Sequence, residues 1–128
     1  MKSSIINLYI ENGLSGIELH KTIEKEVAEY CESMAKIGST LNLYFSEDET
    51  IYFDRLAIVK LLGEVINGNL SPQVLAYICD CFTLGDRIEY QNELIKDVIF
   101  QIAGPEINGG FKSDSELQEH LQKIVTGD

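Results

Sequence analysis

Residues that do chemistry work at particular separations, and this chain offers few of them. Its two histidines, His20 and His120, lie far apart, and neither belongs to an HExxH run or to a His–carboxylate cluster at metal-ligand spacing. His20 falls in an apolar stripe and reads as a core or boundary residue. There are three cysteines, an odd count, and on a helix Cys79 and Cys81 would point to nearly opposite sides. They read as small buried hydrophobes rather than as a metal clamp or a disulfide. No GxSxG elbow is present, and no cysteine stands in a catalytic context. The 21 Asp and Glu residues are so many that a catalytic pair cannot be argued from their number. These residues predict no catalytic group, no metal ligand and no cofactor site, and so a binding protein rather than an enzyme.

Acids are the remaining candidates. Glu47-Asp48-Glu49 lacks the twelve-residue ligand spacing of a calcium loop and reads as a solvated turn or as part of a partner-facing patch. Asp80, Asp86 and Glu89 could form a second patch near the end of the helix that carries Phe82. The net charge of -11 repels nucleic acid and anionic membrane and favours encounter with a basic protein. It also serves solubility.

The elements that position these residues are mostly helical. His20, Ile23, Val27, Tyr30, Met34 and Ile37 recur at spacings of three and four, with Gly38 as a stop. Asp54 can cap a helix with an inner face of Val59, Leu62, Val65 and Ile66, ended by Asn67-Gly68. Ser71-Pro72 starts the next, whose stripe is Leu75, Ile78, Cys79 and Phe82. Ile95, Val98, Ile99 and Ile102 repeat the pattern, and Ser113-Asp114-Ser115-Glu116 is a capping box before Leu117, Leu121 and Ile124. A first short helix through Ile5, Ile6, Leu8 and Tyr9 is expected to end at Gly13. Leu41, Leu43 and Phe45, followed by Ile51 and Phe53, predict a small β-ribbon near residues 41–53, or an extended or short helical connection.

Residues 104–110, GPEINGG, could be a phosphate loop or a hinge. A phosphate loop needs a preceding strand and a lysine or GxGxxG spacing, which are absent. Gly104 suits the left-handed end of a helix, Pro105 cannot continue one, and Asn108-Gly109 is a turn pair. The stretch reads as a hinge, with Ile107 and Phe111 tucked into the core.

Length and composition set the frame. A chain of 128 residues with 45% hydrophobic side chains is expected to form one domain over residues 1–128. Residues 1–64 hold 11 acids and 6 bases and residues 65–128 hold 10 and 4, so charge marks no boundary. No apolar run approaches a membrane span or the core of a secretory signal, and the expectation is a mature chain that begins here and is cytoplasmic. The short loops predict an all-α chain folded as a compact antiparallel helical bundle.

From Leu41 to the C-terminus the pattern resembles small bacterial immunity proteins of polymorphic toxin systems, including contact-dependent growth inhibition. The likeness is carried by FDRLAIVKLLGEVINGNLSPQVLAYICDCFTL, the AGPEINGG turn and the capped C-terminal helix. The resemblance implies a non-catalytic inhibitor whose partner is a cognate toxin domain. Many such toxins are nucleases with basic clefts, against which Glu47, Asp48, Glu49, Asp80, Asp86 and Glu89 are the expected partner-binding residues. The rival reading is a regulatory adaptor holding a partner peptide in a groove between helices.

Overall fold

The computed structural model describes residues 1–36 and 43–127; the positions assigned above to Ile37, Gly38 and Leu41 lie outside them. The chain is mostly helical, with α1 over Ser3–Ile10, α2 over Gly16–Met34, α3 over Arg55–Ile66, α4 over Pro72–Leu84, α5 over Glu93–Ile102 and α6 over Asp114–Thr126. Two short strands, β1 over Ile51–Phe53 and β2 over Ile88–Tyr90, form a small sheet.

The helix starts follow the local chemistry of the sequence. Asp54, Ser71 and Ser113 each accept the predicted backbone N–H, from Ala57, Val74 and Glu116. Two further caps come from Asn92 and from a Ser15–Glu18 capping box. Each satisfies donors that the first turn of a helix leaves open. At the end of α1, Asn12 rather than Gly13 takes the left-handed conformation, with φ 65°.

Helix α4 sits at the centre. Every residue from Val74 to Phe82 is buried, as expected of a helix that is apolar all round and covered on all sides. It packs on α2, α3 and α5, while α6 closes over α3 and α5. In α2 the interior stripe is Leu19, Ile23, Val27 and Tyr30; Leu19, not its neighbour His20, faces the core. The inward residues of α3 are Ala57, Ile58, Leu61, Leu62 and Val65, so Val59 and Ile66 flank the buried face that they were expected to form. Edge-to-face contacts of Tyr30 on Tyr77 (5.3 Å) and Phe53 on Phe82 (5.1 Å) join α2 and β1 to α4.

The sheet departs from the expected ribbon. Leu43 to Phe45 form no strand; β1 pairs in parallel with β2, Ile51 opposite Ile88, Tyr52 opposite Glu89 and Phe53 opposite Tyr90. Parallel strands need a crossover, supplied here by α3 and α4. The reason lies in residues 46–50: their polar groups bond to α1 and to the segment before β2, so they do not close a hairpin. Burial of Ile51 and Phe53 against the helices supports a pair that would be marginal alone.

Candidate functional site

The fold gathers five of the six expected acids along one edge. Glu47 is half-buried and reaches across to the loop before β2. Its carboxylate accepts from the backbone N–H of Asp86 (2.8 Å) and of Arg87 (2.6 Å), while the Arg87 guanidinium donates to the Glu47 carbonyl (2.9 Å) and to Thr50 Oγ1 (3.2 Å). The approach needs a small residue at Gly85, where a Cβ would lie 3.0 Å from Ile88 Cγ1 and 3.1 Å from Glu47 Oε1.

Asp48 caps α1 from outside the helix. Its carboxylate accepts from Ser4 N (2.9 Å), Ser4 Oγ (2.6 Å) and Ser3 Oγ (2.9 Å). These bonds, the Ser4 hydroxyl first, hold the exposed Asp48 carboxyl down at about 2. Glu49 accepts from Asn7 Nδ2 at 2.9 Å. Asp86 and Glu89 are exposed, and Glu89 stands beside the exposed ring of Tyr52 on the outer face of the strand pair. The edge thus carries Glu47, Asp48, Glu49, Asp86 and Glu89, with Arg87 among them and Tyr52 opposite Glu89. Three of these acids are held by bonds within the fold, whereas the exposed Asp86 and Glu89 side chains make no hydrogen bond or ion pair among the described residues.

Asp80 is the exception. It is buried in α4, accepting from Tyr30 Oη (2.5 Å) and from the Gly104 backbone N–H (2.6 Å). Burial pushes its carboxyl up, opposed by those two hydrogen bonds. Asp80 ties α2 and the 104–110 turn to α4, and its side chain is withdrawn from the surface on which the sequence placed it.

The turn itself matches part of its expectation. Gly104 (φ 60°), Gly109 (φ 88°) and Gly110 (φ 88°) take left-handed conformations, and the Asn108 amide donates to the Ala103 carbonyl at 2.5 Å. Ile107 and Phe111 do not tuck in: Ile107 is 81% exposed and Phe111 37%. A side chain at the apex of a turn pinned by its neighbours' backbone bonds points away from the helices, which is why it is absent from every periodic stripe.

Behind the turn lies an open, largely carbon-lined groove of about 330 Å³, walled by Cys31 and Met34 of α2 and the following Ala35 on one side and by Pro105, Gly110 and Phe111 on the other. A polar hollow of about 310 Å³ along α6 holds Lys112, Lys123 and His120 with Glu116 and Glu119. His120 is buried, and burial, with help from Lys123 and Lys112, lowers its pKa against the pull of the two glutamates. His20 is half-exposed, 3.8 Å from Glu24. Cys79 and Cys81 are buried free thiols, with Cys81 pushed up to about 12 by burial. Among the described residues no group of three or more His, Cys, Asp or Glu is placed to hold a metal ion, and no helix is long and apolar enough to cross a membrane.

The sequence pointed to the acids but not to Tyr52, Arg87 or the groove. Tyr52 was legible only as the polar-facing middle of a strand, and the groove joins residues whose proximity depends on Asp80. No family model, curated protein or solved structure matches this chain.

Proposed function

We propose that this chain is an immunity protein, a cytoplasmic, non-catalytic binder that neutralises a cognate bacterial toxin domain by covering its active or substrate-binding surface. The observation that supports this reading is the acidic edge. Segments 47–49 and 86–89, distant in sequence, are brought together by the Glu47 bonds to Asp86 and Arg87 and by the parallel strand pair. In a chain of net charge -11 this sets the exposed Glu89 opposite an exposed aromatic ring, Tyr52, with the exposed Asp86 just ahead of it in the same segment. Such a combination suits a basic partner: rim charges raise the encounter rate, and an aromatic residue anchors the contact. The occluded surface is then a cationic cleft, of the kind a nuclease toxin uses for its substrate.

The test is co-expression with the product of the adjoining upstream gene, followed by affinity capture and a growth assay. The expected result is a stoichiometric complex and survival of otherwise poisoned cells. Reversing both free charges, Asp86→Lys with Glu89→Lys, should weaken the complex about tenfold at low salt with little change in thermal stability. No complex and no protection would overturn the proposal.

A further inference from the structure

We infer that the groove between the end of α2 and the 104–110 turn is a docking site for a partner segment that presents an apolar side chain next to a lysine or arginine. The groove is built before any partner arrives. One wall is the end of α2, where the partly buried Cys31 and Met34 and the C-cap residue Ala35 line the cleft. The other wall is Pro105, Gly110 and Phe111, on a turn whose position is fixed three times over. Asp80 accepts from Gly104 N and from Tyr30 Oη, the latter on the same helix as Cys31 and Met34. Asn108 Nδ2 donates to the carbonyls of Ala103 and Phe100, and Lys112 Nζ donates to the carbonyl of Asn108. A cleft held in this way loses little freedom on binding.

Its chemistry selects the occupant. At about 330 Å³ it lies near the lower end of the roughly 300–1,000 Å³ of small-molecule sites, and it is open along one side rather than enclosed. It therefore suits one or two side chains carried on another protein's surface. Glu106 stands on the lip, exposed; it is the one charged side chain among the described residues that line the groove, and it makes no hydrogen bond or ion pair with the described residues. The free charge at the groove is negative, so the group beside the inserted apolar side chain is cationic. A second copy of this chain is the obvious rival, because Ile107 projects next to the groove and could enter that of a twin. That pairing would bring two Glu106 carboxylates together between two chains of net charge -11, which disfavours it.

The inference rests on the immunity reading only in taking the occupant from a protein, and it is tested without a toxin. The full chain, labelled with ¹⁵N, is titrated with a short capped peptide of alternating leucine and lysine, and in parallel with its leucine–glutamate counterpart. The expected result is amide shifts confined to Cys31–Ala35 and Glu106–Phe111 with the lysine peptide, with affinity falling about fivefold in Glu106→Lys. That variant, at an exposed and unpaired position, should keep the wild-type spectrum elsewhere and prefer the glutamate peptide. Shifts confined to the acidic edge, no response at the groove, indifference to the Glu106 reversal, or a dimer by sedimentation that buries Ile107 would each overturn the inference. Failure to protect cells from a toxin, with groove binding intact, would overturn only the immunity proposal.

Discussion

Asp80 holds two donors from two different parts of the chain while lying inside the protein, and so its loss is felt at both. In Asp80→Ala the Tyr30 hydroxyl and the Gly104 N–H are left without an acceptor, at about 1–3 kcal/mol for each buried donor so stranded. Urea denaturation should show that loss, with Asp80→Asn intermediate because an amide still offers one acceptor oxygen. Asp48 acts through its charge instead. Its folded-state pKa of about 2 lies below the ordinary 3.8, so between those values the unfolded chain binds the proton first and acid favours unfolding. The contribution is complete above 3.8 and lost as the pH falls through about 2. Asp80 runs the other way, since its raised carboxyl favours the folded state below the ordinary value and loses that advantage as pH rises. The urea midpoint of Asp48→Asn should therefore fall less steeply than wild type across the acid window; equal slopes would mean that the Ser3 and Ser4 bonds do not persist in solution.

At the scale of elements, the caps are independent modules. Removing the Ser113 hydroxyl in Ser113→Ala opens the capping box with Glu116 and should cost about 1 kcal/mol, read as a lower thermal midpoint, with the spectrum of the α2–α4 core unchanged. Such caps were legible because they depend on residues three apart. The starts of α3, α4 and α6 were readable for the same reason, from Asp54, Ser71-Pro72 and Ser113, and Gly68 and Gly104 follow the ends of α3 and α5 with positive φ; α5 was legible by its stripe, not by its Asn92 cap. The strand pair was not, because Ile51 and Ile88 are joined only through the placement of two intervening helices, and short alternating runs do not name their partners. Burial of Asp80 was hidden likewise. A carboxylate at that position reads as surface until Tyr30 and Gly104, distant along the chain, are seen to converge on it.

For the whole molecule, charge and packing oppose each other. A net charge of -11 on one small body destabilises the compact state through self-repulsion, while the all-round burial of α4 supplies its cohesion. Raising ionic strength from about 0.01 M to 0.15 M shortens the screening length from about 30 to 8 Å. The thermal midpoint should rise by about 3 °C. A fall on adding salt would mean that surface attractions outweigh repulsion, and the acidic edge could not then be the dominant field.

The parallel pairing of β1 with β2 has one more consequence. The surface holding Glu47, Tyr52, Asp86 and Glu89 exists in neither segment by itself, since a helical crossover separates the two. It is a discontinuous epitope. An antibody raised against that edge should ignore peptides 43–53 and 84–91 and release its target cooperatively when the chain unfolds, so that its binding reports the integrity of α3 and α4, which it does not touch.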